Sequence, residues 1–368
     1  MNHSNVSNDT ESKNITRFEQ FLTNKYIIVL FSFIFGLSYI FQRFFTDLDE
    51  YFISNVLRNH FTKEFLDPFW LAIFWLTVAI FFMMILCFFV FINKRRDALA
   101  MLAIVVIGGL FLGDALKIMF QLDRPPGHFS DWVPAIYNSF IPLPGESHDF
   151  PAQSVLVPAA LSTYFYLKKP ERKRAISYLI FTGVLFFARP YIGVNHISAS
   201  VAGTILGMYI GLIVHRYLDQ VRSSALFDSK LKKLLISVGI FALMTFIYTL
   251  ERPLFYSEPS RGVDLDIRMF SMVLGGFIGI SVDGPKQLQY RFETSMQKLK
   301  FIISLLIAYL VLFTFYVSAL LVPIPFLFIG IVIGFIDGLW ISIGGPKFVE
   351  YMNKTTIKNS KEEYKNGN

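Results

Sequence analysis

The chain has 368 residues, of which 54% are hydrophobic and only 17% are charged. Its mean hydropathy of +0.50 comes from long apolar runs, and this composition excludes a soluble globular domain. The formal net charge is +7, and its distribution along the chain indicates membrane orientation rather than nucleic-acid binding. With Cys87 as its one cysteine, the sequence offers no disulfide framework and no Cys-ligated metal site.

In chain order, a polar tail comes first, over residues 1–25, and is predicted to be disordered and cytoplasmic. Ten apolar runs follow, and they predict an all-α polytopic membrane protein. The runs lie near 26-42, 69-92, 98-116, 152-167, 175-188, 195-214, 234-250, 269-282, 301-321 and 326-343.

The basic residues support this order of spans. With a cytoplasmic N-terminus, 25 of the 34 Lys and Arg residues fall in inner segments, as the positive-inside rule requires. We therefore expect both termini in the cytoplasm, with the C-terminus as a tail over 353-368. We also expect the protein to lie in the plasma membrane.

The last four spans, within residues 230-352, contain an internal repeat. Ile280–Lys286 and Ile341–Lys347 share the pattern Ile-Ser, an aliphatic residue, one further residue and then Gly-Pro-Lys, at an offset of 61 residues. The offset predicts a four-helix domain of two parallel two-helix repeats. Gly followed by Pro indicates the end of a helix, although a functional turn is the alternative.

Glycines at every fourth position mark helix faces that can approach a neighbour closely. Gly203, Gly207 and Gly211 form such a stripe in the sixth span, and the eighth and tenth spans contain others. We interpret these stripes as packing surfaces.

Ionisable residues gather in three stretches at the predicted outer ends of spans three, four and six, and a Pro-rich outer loop lies over 118-150. Lys117, Arg124 and Arg189 all reach the same face by the span count. Three cations in a partly dry pocket require an anion, and phosphate is the natural candidate. Snorkelling to the interface is the alternative for each cation taken singly.

The spacing of Lys117, Arg124 and Pro125 resembles the first signature of the type 2 phosphatidic acid phosphatase and haloperoxidase superfamily. Phe150–Pro151 resembles the opening of its second signature, and Arg189–Val194 resembles its third. This resemblance implies a six-helix phosphatase-like domain over 26-220. It also implies that the two Arg residues and the Lys hold a phosphate, with no metal and no other cofactor.

The chain departs from the family pattern where bonds are made. Asn195 stands at the position of the nucleophilic His, Ala199 at that of its orienting Asp, and Ser154 at that of the acid His. An amide forms no phospho-enzyme at a useful rate, and a methyl group cannot fix a tautomer. The resemblance thus implies a pseudoenzyme that keeps the phosphate cage and has lost the reactive groups.

One alternative restores a nucleophile by a slip of one residue. His196 with Ser200 would form a pair four residues apart, and His148 or His128 could donate the proton to the leaving group. The protein would then be an active phosphatase of lipid phosphates or polyprenyl diphosphates. A transporter of a lipid or its headgroup and a scaffold for envelope enzymes remain open as well.

The leading expectation is a membrane protein that binds a phosphorylated lipid headgroup at the outer face, with hydrolysis lost or weak. The expected partners are the membrane and that lipid, with no nucleic acid. The sequence leaves the identity of the lipid and the oligomeric state open.

The orientation can be tested by cysteine labelling in a Cys87→Ser background. A membrane-impermeant maleimide should label Phe140→Cys from outside intact cells and should label Glu171→Cys only after the cells are opened, because position 171 lies in a strongly basic inner loop. The reverse pattern would overturn the assigned orientation.

Overall fold

The computed structural model describes residues 17–57, 95–125, 148–223, 294–321 and 327–353, with short stretches within 66–73, 229–242, 271–279, 289–290 and 357–358. Within this described part, the chain is helical except for turns and one antiparallel pair of two-residue strands. The pair joins β1, Gln289–Tyr290, to β2, Ile357–Lys358. The predicted all-helical class is thus confirmed in outline.

Eight helices make up the described N-terminal part. They are α1 (Arg17–Thr23), α2 (Lys25–Phe44), α3 (Thr46–Tyr51), α4 (Arg95–Ala103), α5 (Asp114–Phe120), α6 (Gln153–Lys168), α7 (Arg172–Tyr191) and α8 (Ile197–Ser223). A wider π-helical segment, Ile104–Gly113, joins α4 to α5 into one continuous rod, and another, Phe52–Leu57, extends α3.

The C-terminal part contains three more described helices. They are α9 (Ser295–Leu321), α10 (Leu327–Leu339) and α11 (Gly345–Met352), and the π-helical segment Trp340–Gly344 connects the last two.

Four described helices are long and apolar enough to cross a membrane. They contain the segments Lys25–Phe44, Ile197–Gln220, Ser295–Leu312 and Ile331–Met352. The total of ten spans and the division into six and four stay predictions, since the spans at 69-92 and 234-250 fall almost wholly outside the described residues.

Helix α6 lies at the centre of the N-terminal bundle. Eleven of its sixteen residues are buried, and its main partner is α8. The predicted glycine stripe provides this contact, because a methyl group on Gly203 would meet the carbonyl oxygen of Ala152, and one on Gly207 that of Leu156. The absence of side chains therefore allows the two backbones to touch.

Ion pairs join the helices at one end of this bundle. All three pairs connect residues that are distant in the sequence, and each lies at the end where α4 and α7 begin and α6 and α8 finish. The pairs are Lys168 with Asp97, Arg96 with Asp219, and Arg216 with Glu19. The opposite ends of the same helices therefore meet at the other end of the bundle, where the three signature stretches lie.

The predicted helix end at the second Gly-Pro-Lys turn is wrong. The chain passes through Trp340–Gly344 and continues as α11, with Pro346 in the first turn of that helix. A proline is tolerated there because its missing N–H would have no helical partner. Trp340 and Asn353 anchor this segment to α9, donating hydrogen bonds to Ala308 and Ser304 over 3.1 and 3.0 Å. The first copy of the turn lies outside the described residues.

The packing role of the stripe predicts a difference between two glycine substitutions. Gly207→Ala should lower the free energy of unfolding by about 1–3 kcal/mol, because its methyl group overlaps the backbone of α6. Gly183→Ala is the matched control, since nothing lies within 4 Å of a methyl group there. This control should be neutral or gain up to about 1 kcal/mol from helix propensity. Unfolding in detergent would measure both, and equal effects would contradict the packing role.

Candidate functional site

The three signature stretches converge where α5 ends, α6 begins and α7 turns into α8. The backbone N–H of Asp149 donates to the carbonyl oxygen of Leu122 over 2.9 Å, and that of Ala152 donates to Ala199 over 3.1 Å. The sharp turn between α7 and α8 requires Gly193, whose φ of 75° lies in the left-handed region. These backbone contacts bring sequence-distant residues into one compact site.

Asp149 forms the centre of the polar network. Its fully buried carboxylate accepts hydrogen bonds from the backbone N–H and ring Nδ1 of His196, over 2.7 and 2.9 Å. The side-chain amides of Asn195 and Gln42 also donate to it. Burial disfavours the charged carboxylate, but the hydrogen bonds and charge of His196, with the charge of Arg124, hold the pKa of Asp149 below its ordinary value.

A second buried carboxylate, that of Asp49, caps α8. It accepts hydrogen bonds from the backbone N–H groups of Ile197 and Ser198 over 3.1 Å, and from the Ser198 hydroxyl over 2.6 Å. An anion at a helix N-terminus satisfies free N–H groups and complements the helix dipole. Asp49 therefore fixes the start of α8 against α3.

The two substituted reactive positions face each other. The Oγ atom of Ser154 lies 3.5 Å from the Oδ1 atom of Asn195, so the first turn of α6 meets the segment that precedes α8. Ala199 is fully buried at the interface with Ala152. The substituted positions, which correspond in sequence to the reactive residues of the family, are thus close together in space.

Two of the predicted phosphate-binding cations, Lys117 and Arg124, contact residues next to this pair. Lys117 donates from Nζ to Oε1 of Gln153 over 2.8 Å, one residue before Ser154. Arg124 donates from Nη1 to the carbonyl oxygen of Val194 over 3.2 Å, one residue before Asn195. Arg189, which is half-buried, accepts at its carbonyl oxygen from the N–H of Val194 over 3.1 Å.

His148 lies in the field of two of these cations. Burial, together with the charges of Lys117 and Arg124, lowers its pKa, and Asp123 at 3.8 Å acts in the opposite direction. The imidazole is therefore neutral at physiological pH. His128, the other candidate proton donor, lies outside the described residues.

The ring of His196 lies among carboxylates, with Asp149 as its nearest partner. Its side chain is 1% exposed, and its Nε2 atom lies 4.0 Å from Oε1 of Glu50. The charge of Asp49 acts on the ring as well. Ser200 does not orient the ring as the slipped alternative expects, because its hydroxyl donates to the backbone oxygen of His196 over 3.3 Å. The partner of the ring is Asp149.

Sequence reasoning missed Gln42, Asp49 and Asp149. Each carried a signal, because a polar side chain within or beside an apolar run is costly to bury and therefore requires partners. The partners could not be identified, since they lie more than 40 residues away in the sequence. Among the described residues, no three His, Cys, Asp or Glu side chains are grouped so as to hold a metal ion.

A family model described as the PAP2 superfamily matches residues 97–223, about a third of the chain. Comparisons with curated proteins and with solved structures give no match. The matched segment contains all three signature stretches and the helices that position them. Residues 97–223 are therefore similar to the PAP2 superfamily, which confirms the predicted resemblance to the type 2 phosphatidic acid phosphatases.

Proposed function

We propose that the protein binds the phosphorylated headgroup of a membrane lipid through Lys117, Arg124 and Arg189, and that it hydrolyses this group slowly or not at all. The site would face the outer side of the plasma membrane. The observation that carries the proposal is the pair of Asn195 and Ser154, which occupies the reactive positions beside the cations.

The cations suit a tetrahedral anion. Lys117 and Arg124 reach the site from either side of the Ser154–Asn195 pair, and both act on His148, so their fields overlap. Arg189 lies at the start of the turn that Arg124 contacts. Charge-assisted hydrogen bonds from guanidinium and ammonium groups are the strongest that a protein offers a phosphate.

The groups around the pair argue against hydrolysis. The amide of Asn195 is no nucleophile, and its nitrogen already donates to Asp149. The Ser154 hydroxyl is too weak an acid to protonate a leaving group near neutral pH. His148 is neutral in this range because its pKa is lowered, so it does not replace the missing acid.

An active phosphatase with His196 as nucleophile is the second candidate. The hydrogen bond from Nδ1 to Asp149 favours it, because such a bond fixes the tautomer that leaves Nε2 free to attack. The surroundings of Nε2 oppose it. The ring is buried, and Glu50 and Asp49 would repel a phosphate at this atom.

Binding should depend on the cage. Arg124→Ala and Arg189→Ala should each weaken the binding of dihexanoyl phosphatidic acid by roughly 1.5–3 kcal/mol, because each removes a charge-assisted contact. Calorimetric titration of the protein in detergent would measure the dissociation constants. Arg172→Ala removes an exposed cation at the other end of α7 and should leave binding unchanged. If all three substitutions weakened binding equally, the lipid would be held by general charge attraction and not by a specific cage.

The role of His196 can be separated into stability and chemistry. His196→Ala should lower the free energy of unfolding by about 3–5 kcal/mol, because it leaves Asp149 buried without its main partner. Phosphate release should stay at background in the unaltered protein and in this variant. Ser200→Ala is the control and should change neither quantity, since its hydroxyl contacts only a backbone oxygen of its own helix.

The opposite outcome is equally clear. Strong phosphate release by the unaltered protein that disappears in a folded His196→Ala variant would establish the active phosphatase and refute the binding protein.

A further inference from the structure

A large apolar pocket lies beside the candidate site, between the end of α2, α3 and the first turns of α8. Its volume is about 700 Å³. Ten of its thirteen lining residues are hydrophobic, counting Tyr51. The pocket runs along α2 from Ile34 to Phe45, which is roughly 16 Å at the rise of an α-helix.

The polar side chains of the pocket already have hydrogen-bond partners within the protein. Asp49 is occupied by α8 and by the Ser198 hydroxyl, and the hydroxyl of Ser38 donates to the carbonyl oxygen of Ile34 over 2.8 Å. The remaining wall consists of aliphatic and aromatic carbon. The chemistry of the pocket thus selects a hydrocarbon.

The position of the pocket indicates the source of that hydrocarbon. Helix α2 is a candidate membrane span, and only 11% of its apolar window is buried inside the protein. Leu37 and Phe45, which line the pocket, are about half exposed, so the pocket reaches the surface of the protein beside this candidate span. Its upper wall, Ile197–Ser198, directly follows Asn195 and His196 in the chain.

We infer that this pocket holds one hydrocarbon chain of the lipid whose phosphate binds at Lys117, Arg124 and Arg189. The inference rests on the proposed function, and it identifies the ligand as a long-chain lipid phosphate rather than a free phosphate or a water-soluble ester. In this arrangement the phosphate lies among the cations on one side of the Asn195–Ser198 segment. The hydrocarbon chain of the lipid extends along α2 on the other side.

The test compares ligands of different chain length in the full-length protein in detergent. The probes are dioleoyl phosphatidic acid, dihexanoyl phosphatidic acid and dioleoyl phosphatidylcholine, and the measurement is the dissociation constant of each. Leu37→Trp introduces bulk at the pocket rim. Leu30→Trp is the matched control, because Leu30 lies on the same helix, is 47% exposed against 46% for Leu37, and does not line the pocket.

Leu37→Trp should weaken the binding of dioleoyl phosphatidic acid about tenfold, as the loss of roughly two buried methylene groups would. It should leave the binding of dihexanoyl phosphatidic acid unchanged. Leu30→Trp should change neither constant. Arg124→Ala should weaken the binding of both phosphatidic acids by a similar factor, because it acts on the phosphate alone.

Three results would overturn the inference while the proposed function stands, with Arg124→Ala still weakening the binding of both phosphatidic acids. The first is an unchanged preference for the long chain in Leu37→Trp. The second is that Leu37→Trp weakens the binding of dioleoyl phosphatidylcholine as much as that of dioleoyl phosphatidic acid, which would show that the pocket binds any bilayer lipid. The third is a change of oligomeric state in Leu37→Trp alone, which would assign the pocket to a second copy. If Arg124→Ala weakens neither phosphatidic acid, the proposed function fails, and the inference that rests on it fails too.

Discussion

The buried carboxylate of Asp149 is the constraint on which the site depends. A charge with no exposure to water is stable only if hydrogen bonds surround it, and here the donors come from α2 and from the segment before α8. The backbone of Asp149 also donates to the end of the first signature stretch, at Leu122. Asp149 therefore connects three parts of the chain that are far apart in the sequence.

This constraint divides the polar residues into two layers. The inner layer contains Asp49, Asp149 and His196, which satisfy one another and the start of α8. The outer layer contains Lys117 and Arg124, which contact residues next to Asn195 and Ser154. Because an anion is attracted by the cations of the outer layer and repelled by the carboxylates of the inner one, the arrangement supports the proposed phosphate binding over attack by His196.

The helix packing keeps these layers in register. Helix α6 carries Gln153 and Ser154 in its first turn, and its position is fixed along its length by the glycine stripe of α8 and at its far end by the ion pair of Lys168 with Asp97. Packed backbones allow little sliding, since the carbonyl oxygens of Ala152, Leu156 and Ala160 fit where α8 has only glycines. The polar end of the bundle is therefore supported by an apolar contact that contains no functional residue.

The sequence by itself determined the helical membrane class, the glycine packing face of α8 and the resemblance of its signature stretches to the PAP2 superfamily, because apolar length, four-residue periodicity and motif spacing are local properties of the chain. The tertiary structure decided which partner the ring of His196 contacts. Its neighbour in the sequence, Asn195, stands at the position of the family's nucleophile. The residue predicted to orient the ring of His196, Ser200, lies one helical turn away. Its actual partner, Asp149, lies 47 residues away. The continuation of the chain into α11 was likewise undecidable locally, since Gly followed by Pro can end a helix or begin the next one, and contacts with α9 decide which.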